Sequence, residues 1–112
     1  MVTDELPLKV PISGFRVVER TGESDVTLRL SRAAEEAALS FAIRNTTVIE
    51  QSSGREIDLT QLVGAEVVEA RCSAHVLVVS FDRDVTLRVD PALDYEAWEV
   101  VTPAGLFVGS PS

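Results

Sequence analysis

Residues 26–31 read Val-Thr-Leu-Arg-Leu-Ser and residues 85–90 read Val-Thr-Leu-Arg-Val-Asp, apolar and polar side chains in strict alternation. Successive side chains on an extended chain leave it on opposite sides, so a period of two marks a strand with one buried and one wet face. Between these segments, Val76-Leu77-Val78-Val79 runs without alternation. Such a run predicts a strand covered on both faces, at the centre of the core. Leu39, Phe41 and Ile43 alternate with Ser40, Ala42 and Arg44, which predicts a further strand. Residues 32–38, RAAEEAA, are strong helix formers and are expected as a loop or a single helical turn.

Val, Ile and Thr make up 29 of the 112 residues, and their restricted χ1 angles favour pleated strands over helices. Turn signals at Thr21-Gly22, Ser52-Ser53-Gly54, Asp82-Arg83-Asp84, Asp90-Pro91 and Pro103-Ala104-Gly105 divide the chain into short strands with short links. Sliding the chain by 50 residues sets Gly14 on Gly64, Val17 and Val18 on Val67 and Val68, Glu19 on Glu69 and Val26 on Val76. With four extra loop residues in the first half, Leu39, Phe41 and Ile43 fall on Val85, Leu87 and Val89. The expectation is one β domain over residues 1–112 with half-repeats at 12–51 and 62–101. Its fold class is all-β, a two-sheet sandwich or flattened barrel of about seven to nine short antiparallel strands with a weak internal pseudo-twofold repeat.

Composition limits the function. The chain is 46% apolar and 25% charged with six Gly and five Pro, the make-up of a globular domain. Eighteen acidic against ten basic residues give a net charge of −8, a field that repels phosphate backbones and argues against nucleic-acid binding. Asp4, Glu5 and Lys9 with two prolines interrupt the first fifteen residues, unlike a secretory signal, and no apolar run approaches the roughly 20 residues of a membrane-spanning helix. The single Cys72 makes no internal disulfide, which fits the cytoplasm. Arg71 beside it favours thiolate formation, yet a nucleophile also needs a base in reach, and an unreactive strand or turn cysteine is the expectation.

No motif carries chemistry. His75 is the only histidine and has no partner at metal-ligand spacing, so neither a zinc site nor a metal is expected; it reads as an exposed residue at a strand end. There is no Gly-x-Ser-x-Gly elbow, Walker loop or dinucleotide-binding turn, hence no catalytic residue and no cofactor is assigned. Charge is uneven: residues 1–56 sum to −2 and residues 57–112 to −6. Residues 82–99 hold Asp82, Asp84, Asp90, Asp94, Glu96 and Glu99 against two arginines. Their spacing does not match a calcium loop, and a 112-residue sandwich offers little cleft for glycoside hydrolysis.

A Gly-x-x-Val start, a hairpin, the strand end Arg88-Val89-Asp90-Pro91, then Asp94-Tyr95-Glu96-Ala97-Trp98-Glu99-Val100 with Pro103-Ala104-Gly105 resemble a group of small uncharacterised bacterial proteins, common in actinobacteria, with two β-rich halves and a C-terminal "YEAW" segment. The likeness is strongest over residues 62–108. It implies a fold and a bacterial setting and no activity.

Tyr95 and Trp98 stand three apart, so in a strand they face opposite ways; with Trp98 in the core, Tyr95 is the exposed contact. An aromatic among carboxylates is the composition of a protein-binding hot spot. The expected function is therefore non-catalytic binding, immunity-like or regulatory, of a basic protein partner through Asp94, Tyr95, Glu96, Glu99, Asp82 and Asp84. The alternatives are a small ligand-binding or enzymatic β-barrel with a pocket between the sheets and a structural, self-associating subunit. Open strand edges favour a homo-oligomer.

Overall fold

The computed structural model describes residues 8–92 and 95–108. Ten strands account for the described chain: β1 (Leu8–Lys9), β2 (Arg16–Thr21), β3 (Asp25–Arg32), β4 (Glu35–Ala42), β5 (Thr46–Glu50), β6 (Val67–Ser73), β7 (Val76–Phe81), β8 (Val85–Val89), β9 (Trp98–Thr102) and β10 (Gly105–Val108). Two short 3₁₀ turns, Ile43–Asn45 and Leu59–Leu62, lie between them. The strands form two antiparallel five-stranded sheets, ordered β1-β6-β7-β8-β5 and β10-β9-β4-β3-β2. They pack face to face as a sandwich and do not close into a barrel. Among the described residues no helix is long and apolar enough to cross a membrane.

The alternating strands build the core as their pattern requires. Val26, Leu28 and Leu30 of β3 and Val85, Leu87 and Val89 of β8 are buried while the intervening residues face outward. Val17 and Leu39 in the sheet of β3 and Leu77 and Val79 in the sheet of β8 are likewise fully buried between the layers. Burying each such side chain stabilises the fold by about 1.5–3 kcal/mol before the entropy of ordering is counted.

Two expectations fail in detail. Residues 32–38 form neither a loop nor a helical turn: Arg32 pairs with Glu35 across a two-residue turn, and β4 then runs on through the alanines. Helix propensity gives way because Ala37, Leu39 and Phe41 reach the core only from an extended chain. Likewise β7 is central in its sheet but covered on one face only. Leu77, Val79 and Phe81 are buried, whereas Val76 and Val78 are half-exposed on the outer surface.

Each half makes a three-stranded meander, β2-β3-β4 or β6-β7-β8, and then sends its next strand to the other sheet. β5 pairs with β8 and β9 pairs with β4. The exchange is mutual, with Val48 opposite Leu87 and Val100 opposite Leu39. At the crossing, backbone hydrogen bonds reciprocate at an offset of 50: Gly14 N donates to Val67 O (2.8 Å) and Gly64 N to Val17 O (2.7 Å), Val67 N to Phe15 O and Val17 N to Ala65 O (both 2.8 Å). A strand irregularity after Val17 recurs after Val67. Gly14 and Gly64 both take positive φ, +85° and +94°, and each lies under an arginine, Arg32 or Arg83. Beyond this seam the matched positions shift: the buried Val26 corresponds to Leu77 and not to the half-exposed Val76, because Val17–Leu30 and Val67–Phe81 are the equivalent pairs. By the same register Leu39 corresponds to Leu87 and Phe41 to Val89.

Candidate functional site

The six residues expected to form one surface separate. Asp94 lies outside the described residues. Asp82 and Asp84 sit in the β7–β8 turn and serve it: Asp82 Oδ1 accepts from Glu66 N (3.1 Å), and Asp84 Oδ2 accepts from Ser52 N (2.9 Å). Glu96 lies just before β9 and Glu99 is its second residue, where Trp98 reaches the opposite end of β7 by donating Nε1 to His75 O at 2.9 Å. The six residues of β7 between His75 and Asp82 put the two groups roughly 20 Å apart.

Tyr95 is not the free contact. β9 begins at Trp98, so strand alternation does not govern residue 95. Its ring packs against the core, its hydroxyl donates to Asn45 Oδ1 and accepts from Arg44 Nε (2.9 Å), and the Arg44 guanidinium lies 5.0 Å from the ring centroid. Tyr95 thus pins the segment before β9 to the 3₁₀ turn Ile43–Asn45. Trp98 is in the core, 2% exposed.

What the fold brings together instead is Asp25, Glu96 and Glu99. They line a shallow hollow of about 180 Å³ with Ser40, Phe41, Ala42, Ala97 and Trp98. Asp25 opens β3 opposite Ala42, and Glu99 faces Ser40 across β4–β9, so two cross-strand pairs set the carboxylates around the hollow. Arg16, Arg29, Arg32, Arg71 and Arg88 pair with Glu66, Glu19 and Glu36, Glu35, Glu69 and Asp90. Among the described residues, Asp25, Glu96 and Glu99 take part in no ion pair or side-chain hydrogen bond. Asp25 was missed because it belongs to the nearly balanced first half of the sequence, and only the β4–β9 pairing carries it to Glu99.

His75 is half-buried and in the left-handed region, φ +63°, beside Ala74 at +51°. Among the described residues no carboxylate hydrogen-bonds its ring. Cys72 packs against the core while Arg71, on the other face of β6, reaches Glu69 at 3.0 Å. The guanidinium is therefore turned away from the thiol. No group of three or more His, Cys, Asp or Glu side chains gathers in metal-binding geometry among the described residues.

A second concavity was not foreseen. A cleft of about 360 Å³ opens at the sandwich edge, lined by Arg20, Ile43, Thr46, Thr47, Val48, Glu56, Ile57, Asp58 and Leu59. Thr60 donates both its N–H (2.9 Å) and its hydroxyl (3.0 Å) to Asp58 Oδ1. These bonds, with a smaller contribution from the Arg20 charge, hold the Asp58 carboxyl below the usual carboxylate range.

Fold and surface together define a small all-β sandwich of two interlocked halves with an unpaired acidic hollow at one end. The chain belongs to a family of unknown function, DUF6188, whose model matches residues 8–112. That match takes in the first half, well beyond the segment where the likeness was strongest. No curated protein and no solved structure matches the chain.

Proposed function

We propose that the protein is a non-catalytic binding module, immunity-like or regulatory, working in the cytoplasm of a bacterial cell, and that it receives a lysine or arginine of a basic protein partner in the Asp25–Glu96–Glu99 hollow. The observation that carries this reading is the concentration there of carboxylates that take no partner among the described residues. Phe41, Ala42, Ala97 and Trp98 complete the lining of the hollow. Asp82, Asp84 and Tyr95 are not part of this surface, since each is engaged in holding a turn or segment.

Steering by such a patch is screened by salt over a Debye length of about 8 Å at physiological ionic strength, so association should slow as salt rises. The test compares partners retained from native lysate by the wild type with those retained by Asp25→Asn/Glu96→Gln/Glu99→Gln, using Asp82→Asn at the far end as control. A partner lost from the triple variant, kept by the control and released by salt supports the reading. Equal retention by the wild type and the triple variant overturns it.

Self-association has its own support in β10. β2 is held by residues 64–67 and carries a bulge, β5 is joined by residues 55–57, and β1 is two residues long. β10 is an edge strand, Gly-Leu-Phe-Val, with no charge or proline to blunt it, and Leu106 is 59% exposed. Light scattering after gel filtration should give a dimer mass that Leu106→Lys shifts to monomer; a strictly monomeric wild type at tens of micromolar removes this reading.

A further inference from the structure

The Arg20 cleft is where the two halves stop matching. On β6 the position equivalent to Arg20 is Ala70, which is buried and covered by the β1 segment, with Val10 N donating to Ala70 O at 2.9 Å. The segment that would cover β2 in the same way instead coils into the 3₁₀ turn Leu59–Leu62 behind its Asp58 cap. A gap between β2 and this turn results. Arg20 stands opposite Leu28 in the β2–β3 pairing, and Leu28 is fully buried, so the Arg20 side chain leaves the sheet on the core-facing side.

A guanidinium so placed ordinarily meets a carboxylate or backbone carbonyls. Arg20 meets neither: its Nε is shut off from solvent and has no hydrogen-bond partner, and none of its nitrogens joins an ion pair among the described residues. Among the described residues three other cations lack a side-chain partner: Lys9 and Arg55 are exposed, and Arg83 donates to the backbone carbonyls of Gln61 and Val63. Asp58 Oδ1 accepts from Thr60, no ion pair joins Asp58 to Arg20, and the Glu56 side chain on the same wall makes no bond among the described residues.

The cleft therefore presents one cation, two carboxylates and the apolar surfaces of Ile43, Ile57 and Val48. A simple anion such as phosphate could pair with the terminal Nη groups of Arg20 but would face two like charges. An amine alone would satisfy the carboxylates and face the guanidinium. We propose that the cleft binds a free α-amino acid with an aliphatic side chain, its carboxylate on Arg20, its ammonium group toward Glu56 and Asp58, and its side chain against Ile43 and Ile57. Two parallel N–H groups of a guanidinium suit a carboxylate, and the cleft volume of about 360 Å³ falls at the small end of the roughly 300–1,000 Å³ typical of ligand sites. The inference is independent of the acidic hollow and of any protein partner.

The test is a two-dimensional ¹H–¹⁵N NMR titration of the intact protein with L-leucine, with 4-methylpentanoate, which lacks the ammonium group, with 3-methylbutylamine, which lacks the carboxylate, and with inorganic phosphate. L-leucine should give saturable shifts at the Arg20 Nε–H and the amides of Ile43, Thr47, Ile57 and Asp58. Each single-charge analogue should bind at least about tenfold more weakly, as should Arg20→Gln and the rim variant Glu56→Gln, since each removes one charge-assisted contact. Glu56 is exposed and its side chain makes no bond among the described residues, so Glu56→Gln remains informative even where Arg20→Gln is destabilised. Absence of saturable L-leucine binding overturns the proposal. So does phosphate or 4-methylpentanoate binding as tightly as L-leucine, or a Glu56→Gln variant of unchanged affinity. The triple variant of the acidic hollow should bind L-leucine as the wild type does, which separates the two readings.

Discussion

Replacing Ala74-His75 by Asn-Gly should stabilise the protein by about 1–2 kcal/mol, the net of strain relief over unfolded-state entropy. Ser73 pairs with Val76, so Ala74 and His75 alone make the β6–β7 turn, with φ of +51° and +63°. Positive φ at both residues is the type I′ geometry that matches the strand twist, and Asn-Gly is its preferred sequence. A side chain with a Cβ in the left-handed region costs roughly 1–2 kcal/mol per residue, of which Gly removes all and Asn a part. Against this relief stands the added freedom of Gly in the unfolded chain, about 0.4–1 kcal/mol. The hydrogen bond from Trp98 goes to the backbone carbonyl of His75 and survives the exchange. Urea unfolding followed by far-ultraviolet circular dichroism should show a higher midpoint at unchanged slope, and Tm should rise by about 4–8 °C. An unchanged or lower midpoint at the same slope refutes the reasoning, because it would mean that the half-buried imidazole contributes more to the fold than the turn strain takes away.

Three further substitutions probe other parts of the structure. Gly22→Ala should destabilise by about 3 kcal/mol or more, since at φ +90° its Cβ would stand 2.0 Å from the backbone oxygen of Asp25, whereas Gly54→Ala at φ +72° in open space should lose only about 1 kcal/mol in the same urea assay. Tyr95→Phe leaves the ring in place and removes its bonds to Asn45 and Arg44; stability should fall by about 1 kcal/mol with no loss of any partner bound at the acidic hollow. Because the Asp58 carboxyl is held below its unfolded value of 3.8, it adds stability above that pH which is lost as the pH falls through the folded pKa. The wild type should therefore exceed Asp58→Asn at pH 6 and converge toward it below pH 3.8 in pH-dependent thermal melts.

The alternation at Val26, Leu28 and Leu30 and at Val85, Leu87 and Val89 was legible because each apolar residue faces a packed neighbour and each polar one faces water. Residues 32–38 were not, since alanine is small enough to sit on either face and the pairing of Arg32 with Glu35 is decided by strands far along the chain. Val76 and Val78 misled in the opposite sense: apolar residues on an outer face look like core until the sheet is seen. The acidic segment was visible as a charge surplus, but the turn after β7 carries Asp82 and Asp84 away from Glu96 and Glu99, and Asp25 joins them only through β4–β9 pairing. Arg20 offered no signal in sequence. Its inward direction follows from the irregularity after Val17, which changes the face that residue 20 presents.

The mutual gift of β5 and β9 has a consequence for the growing chain. β5 ends at residue 50 but its partner β8 is complete only at residue 89, and β4 ends at residue 42 while β9 is complete at residue 102. At synthesis rates of about 5–20 residues per second, β5 waits roughly 2–8 s for its partner and β4 roughly 3–12 s for its own. Neither sheet can be finished on the ribosome from the first half, so the β2-β3-β4 meander leaves the exit tunnel with one strand edge open and an apolar face uncovered. Completion of both sheets thus waits on β8 and β9, and a translational pause between residues 50 and 89 would prolong the interval in which a chaperone, or another nascent chain, meets that open edge.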